Sequence, residues 1–370
     1  MTEAKAPPLE PVEPSEGVDS ILAQYTSRDA GEDLQKSGEG SSTGFPWLDK
    51  QGFRFVPGKL YAVAARPSVG KTALLLELLV RHAEMRAGLR SIPEEDAPIR
   101  QSGAPAVFVT YEETRAELYV RLLVRQVAAD AGGVPTWWTE KAPARWWART
   151  WLRGKLEVAK PELQEAAAKV DRLVREGHLV LVDGDRDGGD VDKLLASLSR
   201  AAGQWGGPPS LVAVDYYQKI RPPADTRAGS RQLQLQEVAD RLRRYAKGEQ
   251  SGTGQEGAEW TVPVIVGAQV NRLAEAQGKV SDDPPDLEHI READDLANDA
   301  AGVLTLHRNF RQAETLTVAV VKNRDGVVGK KGVATFEGAS GRILDLKKYE
   351  EPREDIREAF GGPTAKGRGR

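Results

Sequence analysis

Apolar and amphipathic segments alternate through the middle of the chain. Five short runs are apolar and typical of buried strands: LYAVAA (60–65), AVFVTY (106–111), HLVLVD (178–183), SLVAVDYY (210–217) and VPVIVGAQ (262–269). Helical patterns separate them: one through LLLELLVRHAEMRAG that stops at Gly88, one through Arg125, and others at about 161–176, 190–202 and 230–247. Unbroken apolar strands that alternate with helices predict an α/β fold with a mostly parallel sheet covered on both faces.

The last part of the chain has a different pattern. Four β-rich runs follow each other with short turns: GVLTLHR (302–308), TLTVAVVK (315–322), GVATFEG (332–338) and RILDL (342–346). The dipeptide Asp325-Gly326 is a strong hairpin signal. We therefore expect an antiparallel β extension at the C-terminal end of the parallel core.

Both ends of the chain differ from this body. Residues 1–41 contain nine acidic and three basic residues, with proline early and glycine and serine late, which predicts a disordered acidic leader. A helical stripe (Val18, Ile21, Leu22, Tyr25) interrupts it and predicts a short linker-type helix at about 18–29. This helix either docks on its own chain or a neighbour, or is unstructured. Residues 349–370 are expected to form a basic flexible tail.

Composition excludes several classes of protein. The 370 residues carry 52 Lys and Arg against 55 Asp and Glu, and a net charge of −3 disfavours binding to DNA or an acidic membrane by bulk electrostatics. The absence of cysteine excludes disulfide scaffolds, thiolate metal sites and cysteine nucleophiles. With neither a secretory signal nor an apolar run long enough for a membrane span, we expect a cytoplasmic protein without membrane contact.

One motif indicates nucleotide chemistry. ARPSVGKT follows the first apolar strand and opens a helix, which is the setting of a phosphate-binding loop. The predicted loop comprises Ala65, Arg66, Pro67, Ser68, Val69, Gly70, Lys71 and Thr72. Lys71 is expected to bind the β- and γ-phosphates of ATP, and Thr72 to bind Mg²⁺. Ala65 stands where the general motif has glycine. The alternative to a phosphate-binding loop is a chance GKT sequence at a strand–helix turn.

Further polar residues follow other predicted strands. Asp215 ends SLVAVD and is the candidate second magnesium residue, with an ordinary strand-end acid as the alternative. Glu112 and Glu113 follow AVFVTY, and Gln269 ends VPVIVGAQ as a candidate γ-phosphate sensor. Because the carboxyl ends of parallel strands share one edge, Glu112, Asp215 and the loop are expected to converge.

These segments resemble the DnaB-type replicative helicases. Residues 42–346 match the family in order: STGFPWLDK (42–50), ARPSVGKT (65–72), VFVTYEETRAELYVRLL (107–123), LVAVDYYQKIR (211–221), VIVGAQVNR (264–272), IREADDLANDAA (290–301) and VKNRDGVVG (321–329). Glu113 departs from the family, which has an apolar residue there. The family's N-terminal helical domain has no match, and residues 248–260 look like an inserted loop.

The resemblance implies a RecA-like P-loop NTPase core over residues 42–348 that assembles as a homo-hexameric ring. Glu112 would polarise the attacking water, while Lys322 and Arg324 would reach a neighbour's ATP. Without the resemblance, a solvated hairpin charge is the favoured interpretation of Arg324. Loops at about 221–235 and 272–291 would face single-stranded DNA, and their arginines are either phosphate contacts or ordinary surface charge. The candidates for DNA contact are Arg227, Arg231, Arg272 and Arg291.

Tryptophan is concentrated in one segment. Five of the eight tryptophans lie within residues 137–151, interleaved with Arg145 and Arg149. Three interpretations are open: a helix packed on the core, a base-stacking platform for single strands, and a surface for a partner protein.

Together with the resemblance to DnaB-type helicases, the sequence implies an ATP hydrolase that acts as a DNA helicase in replication and, as the family does, moves 5′ to 3′ on single-stranded DNA. A helicase loader or replication initiator is an expected partner. The alternatives are a plasmid or phage replication ATPase with a specialised partner, and a DNA-binding switch that uses ATP without unwinding.

Overall fold

The computed structural model describes residues 40–91, 104–141, 143–155, 160–226, 229–249, 260–270, 284–285, 294–308 and 314–349. The chain divides into two units, Met1–Glu39 and Gly40–Arg370, and the described residues belong to the second. The predicted leader with its helix, most of the insertion at 248–260 and the tail after residue 349 lie outside the described residues.

The described residues form one sheet with the strand order β3-β2-β4-β5-β1-β6-β7-β8-β9. The strands are β1 (Leu60–Ala65), β2 (Ala106–Thr110), β3 (Leu179–Asp183), β4 (Leu211–Asp215), β5 (Val264–Gln269), β6 (Gly302–His307), β7 (Thr315–Asn323), β8 (Lys330–Glu337) and β9 (Arg342–Lys348). Strands β1 to β6 pair in parallel, and β7, β8 and β9 continue the sheet in antiparallel pairs. The predicted parallel core with an antiparallel C-terminal extension is confirmed.

Helices cover both faces of this sheet. They are α1 (Pro46–Lys50), α2 (Lys71–Arg86), α3 (Arg115–Asp130), α4 (Thr136–Lys141), α5 (Ala144–Leu152), α6 (Pro161–Arg175), α7 (Val191–Trp205), α8 (Arg231–Ala246) and α9 (Asp294–Asp299). Val63 faces the side covered by α2, α3 and α6, whereas Ala62 and Ala64 face α7, α8 and α9. This alternation follows from the two-residue period of a strand. Among the described helices, none is long and apolar enough to cross a bilayer.

A buried ionic network fixes α2 in place. The carboxylate of Glu77 accepts hydrogen bonds from Arg125 on α3 (2.9 and 3.1 Å) and from Arg81 on α2 (2.8 Å). Arg81 also donates to the carbonyls of Gly44 (2.9 Å) and Ile343 (3.0 Å). Burial opposes the ionisation of Glu77, yet the two guanidinium groups lower its pKa to about 2. The network therefore ties the helix after the phosphate loop to α3, β9 and the STGFPWLDK segment.

The tryptophan segment forms a satellite core on α3. Trp138 is fully buried among Leu123, Val127 and Leu163, and Trp137 and Trp147 pack at its edge. The packing interpretation therefore holds for these rings. The segment contains two short helices, α4 and α5, rather than one, and Trp146 remains 49% exposed.

The turn between β7 and β8 is longer than the Asp325-Gly326 signal suggests. Six residues, 324–329, separate the strands, and the N–H of Val327 donates to the carbonyl of Gln51 (2.9 Å). A Cβ on Gly326 would lie 2.1 Å from that carbonyl oxygen, so only glycine fits there. The hairpin is confirmed, but packing against residues 51–52 sets its shape.

His82 makes the stability of the fold depend on pH. It is buried on α2 against Phe55, and neither ring nitrogen has a hydrogen-bond partner. Burial, with a contribution from the charge of Arg86, lowers its pKa from 6.5 to about 3. Below pH 6.5 the unfolded chain therefore binds a proton that the folded chain excludes, so the stability falls as the pH falls from 6.5 towards 3.

We predict that the free energy of unfolding falls by about 2 kcal/mol from pH 7 to pH 5 through His82 alone. In His82→Phe this part of the decrease should disappear, which urea unfolding of both proteins across that range would measure. Glu77 contributes only below its unfolded pKa of 4.5, outside this range. Parallel stability curves for the two proteins would contradict the prediction.

Candidate nucleotide-binding site

The predicted phosphate-binding loop lies between β1 and α2. Ala65 is the last residue of β1 and is fully buried between Gln269 of β5 and Leu306 of β6. Its backbone is not in the left-handed region, which explains why the glycine of the general motif is dispensable there. Positive φ angles occur instead at Ser68 (63°) and Gly70 (126°). The loop thus turns sharply into the first turn of α2, whose N–H groups lack intrahelical acceptors.

Lys71 and Thr72 converge on one buried carboxylate. Asp215, at the end of β4, is 1% exposed. Its Oδ1 accepts a hydrogen bond from Nζ of Lys71 (2.6 Å), and its Oδ2 accepts one from Oγ1 of Thr72 (2.6 Å). The Lys71 ammonium also lies 4.0 Å above the ring of Tyr216. The hydroxyl and carboxylate oxygens of Thr72 and Asp215 are the hard ligands that Mg²⁺ prefers, so these residues fit a magnesium site.

Sequence reasoning missed Gly267, which makes this convergence possible. A Cβ at this position of β5 would lie 3.0 Å from Oδ1 of Asp215, 3.1 Å from Cδ of Lys71 and 2.9 Å from Leu75. The contact joins strands that are neighbours in the sheet but distant in the sequence, and only the glycine within an apolar run signals a close approach.

The two glutamates after β2 have different surroundings. Glu112 is exposed, and within the described residues its carboxylate has neither a hydrogen bond nor an ion pair. Its charge helps to raise the pKa of Tyr216, after the larger effect of burial. Glu113 is instead bound by Arg121 of α3. The structure thus leaves Glu112 as the available carboxylate beside Tyr216.

Gln269 is held at the end of β5 by a second glutamine. The side-chain amide of Gln218 donates to the carbonyl of Gln269 (2.9 Å), and its oxygen accepts the N–H of Gln269 (3.1 Å). Arg231, a candidate for DNA contact, donates to the carbonyl of Gln218. A chain of hydrogen bonds therefore runs from the start of α8 to the edge of the phosphate loop.

Arg308 and Phe336 support the loop from the other side and were also missed by sequence reasoning. The guanidinium of Arg308 donates to the carbonyl of Ser68 (2.6 Å) and lies 4.5 Å from the ring centre of Phe336. Phe336 in turn lies against Gly70, at 3.4 Å from the position of a Cβ there. Burial lowers the pKa of Arg308. No motif in the sequence signals either residue.

Lys322 and Arg324 lie at the other end of the parallel strands from the phosphate loop. Nζ of Lys322 donates to the carbonyls of Ala297 (2.8 Å) and Asn298 (2.7 Å), and Arg324 donates to that of Asn298 (3.1 Å). Burial, and then the charge of Arg324, lower the pKa of Lys322. The backbone N–H of Arg324 reaches Ala301, which is itself bonded to Leu60 at the start of β1. The length of β1, about 17 Å, therefore separates Arg324 from its own phosphate loop.

The other DNA candidates, Arg227, Arg272 and Arg291, lie outside the described residues.

The sequence model of the family described as DnaB-like helicase C terminal domain matches residues 40–343. This match covers most of the chain and includes every segment of the site described above. The chain belongs to this family.

Relatives of the DnaB-like helicase C-terminal domain support the match. The chain is 24% identical to the replicative DNA helicase DnaB of Haemophilus influenzae, over 85% of this chain and 57% of that protein. It is 27% identical to the DnaB of Leifsonia xyli, over 83% and 56%. The chain thus spans a little more than half the length of these curated relatives.

Two solved structures share the fold. One is a DnaB-like replicative helicase described with its interactions with primase (TM-score 0.64, 18% identity, 90% of this chain and 71% of that one). The other is the ATPase domain of G40P (TM-score 0.63, 18% identity, 90% of this chain and all of that one). The likeness establishes the RecA-like ATPase fold of DnaB-type domains for this chain.

We predict that Gly267→Ala weakens the binding of a fluorescent ATP analogue roughly tenfold or more, because overpacking beside Lys71 and Asp215 costs about 1–3 kcal/mol. Equilibrium titration measures this effect. The control is Gly203→Ala on the exposed face of α7, where a Cβ has no neighbour within 4 Å and the affinity should not change. Equal affinities of Gly267→Ala and the unsubstituted protein would refute the prediction.

Proposed function

We propose that this chain is an ATP-driven DNA helicase motor of the DnaB type that moves 5′ to 3′ along single-stranded DNA during replication. The observation that carries the proposal is the convergence of Lys71, Thr72 and the buried Asp215 beside the exposed Glu112, within a domain of the DnaB-like family. The named activity of the relatives, replicative DNA helicases, supports the same function.

Each residue at this edge has a role in ATP hydrolysis. The loop N–H groups and Lys71 bind the phosphates, while Thr72 and Asp215 would hold Mg²⁺. When bound, this ion would neutralise negative charge on the triphosphate. Glu112 orients and polarises the attacking water, and within the described part of the chain no ion pair holds its carboxylate. Gln269, whose backbone is held by Gln218, is the proposed sensor of the γ-phosphate.

A second copy of the chain completes the site. Arg324 lies near the start of β1, about 17 Å from its own phosphate loop, and this distance supports contact with the ATP of another subunit. Lys322 donates to the same carbonyl of Asn298 and would reach the neighbour's ATP together with Arg324. An arginine supplied in this way contributes about 10³–10⁵ in rate. This division of the site requires assembly, which we propose to be a homo-hexameric ring.

The ring encloses single-stranded DNA. Arg231 at the start of α8, with Arg227, Arg272 and Arg291, supplies phosphate contacts that carry no base information. The bond from Arg231 to Gln218 links one of these arginines to Gln269. A helicase loader or replication initiator is the proposed partner, and the cytoplasm the proposed location.

We predict that the protein displaces a strand from a forked duplex when ATP and Mg²⁺ are present. Lys71→Ala should abolish displacement because phosphate binding is lost, and Arg324→Ala should do so because the shared site is incomplete. A gel assay with a labelled strand measures all three proteins, and a fork with only a 3′ tail is the polarity control.

DNA-stimulated ATP hydrolysis without displacement would contradict the helicase and favour the ATP-dependent switch. Displacement from the 3′-tailed fork alone would contradict the proposed direction.

A further inference from the structure

The two neighbouring glutamates that follow β2, Glu112 and Glu113, differ in their contacts. Arg121 of α3 grips Glu113 with two parallel hydrogen bonds, from Nε to Oε2 and from Nη2 to Oε1, each 2.5 Å. Both side chains are about four-fifths buried, at 18% and 19% exposure. A two-pronged, partly buried pair of this kind is the strongest arrangement of arginine and carboxylate.

Further contacts fix the backbone and the carboxylate of the same turn. Arg145 of α5 lies 3.9 Å from Oε1 of Glu113, so a second cation faces that carboxylate. The hydroxyl of Thr110 accepts the N–H groups of both Glu112 (3.2 Å) and Glu113 (3.0 Å). Thr114 then begins α3 with a capping box that involves Glu117. The backbone is thus fixed on both sides of the two glutamates.

Glu112, by contrast, is exposed. After the larger effect of burial, its charge helps to raise the pKa of Tyr216, whose ring lies under the ammonium of Lys71. Asp215 and Arg231 are the other charged groups near Tyr216. Glu113 is therefore bound by α3 and α5, whereas the charge of Glu112 acts on Tyr216, beside Lys71.

We propose that Arg121 is a positioning residue that sequesters Glu113, so that Glu112 is the single carboxylate presented to the attacking water. The proposal rests on the proposed hydrolysis of ATP. An unbound Glu113 would bring a second negative charge to a turn that faces the triphosphate, and it would compete with Glu112 for the same water. An additional negative charge near the triphosphate would disfavour the transition state, in which the negative charge on the phosphates must be neutralised.

The test compares the steady-state ATPase kinetics of the full-length protein and a set of variants in the presence of single-stranded DNA. Arg121→Gln should lower kcat about tenfold and leave KM within about twofold, because phosphate binding is untouched. The matched single variant Glu113→Gln should keep kcat close to that of the unsubstituted protein. The double variant Arg121→Gln/Glu113→Gln should recover most of the lost rate, since the released charge is gone.

Arg121→Lys is the conservative variant, which keeps one charge but loses the two-pronged grip and should have an intermediate kcat. It also replaces Arg121→Gln if that variant does not fold. Thermal unfolding of each variant separates a loss of fold from a loss of rate.

Two results would overturn the proposal. A double variant as slow as Arg121→Gln would mean that Arg121 acts only by supporting α3. A Glu113→Gln variant as slow as Glu112→Gln would mean that Glu113 itself serves the reaction. The proposed function fails separately, through an unsubstituted protein without ATPase activity or a Glu112→Gln variant with full activity.

Discussion

The buried carboxylate of Asp215 is the constraint on which the site depends. An ionised group with 1% exposure requires charged or hydrogen-bonding partners, and Lys71 and Thr72 supply one for each oxygen. Both partners come from the first turn of α2, so that turn must lie directly against the end of β4. The close approach requires Gly267 on the strand between them. The ionic network around Glu77 fixes the remainder of the same helix.

The candidate site residues lie at the two opposite ends of the parallel strands, which we call the carboxyl edge and the amino edge of the sheet. At the carboxyl edge lie the phosphate loop, Asp215, Glu112 and Gln269, because each follows or ends a parallel strand. At the amino edge lies Arg324, anchored near the start of β1. The antiparallel extension produces this arrangement, since β7 returns along β6 and carries the chain back across the sheet. In the proposed assembly, one subunit's amino edge would meet its neighbour's carboxyl edge, which is a head-to-tail arrangement.

Local patterns predicted most of the fold and the centre of the site. Strand and helix periods placed the parallel core, and the position of ARPSVGKT after β1 placed Lys71 and Thr72 at the correct edge. The resemblance assigned Glu112, rather than Glu113, to the attacking water, but residue patterns did not predict what binds Glu113, because Arg121 lies eight residues further along on α3. The contacts of Gly267 and Arg308 were equally out of reach, since they join elements far apart in the chain. The residue pattern of the tryptophan segment also did not predict the break between α4 and α5.

The division of one catalytic site between two subunits is the central claim, and a mixture of two inactive variants tests it most directly. Lys71→Ala keeps its arginine finger but lacks a working phosphate loop, whereas Arg324→Ala has the reverse defect. When the two variants assemble together, some subunit interfaces combine an intact phosphate loop with an intact arginine finger. The account predicts DNA-stimulated ATPase activity in the mixture that neither variant shows alone. A mixture as inactive as its components, or an Arg324→Ala variant with full activity by itself, would contradict it.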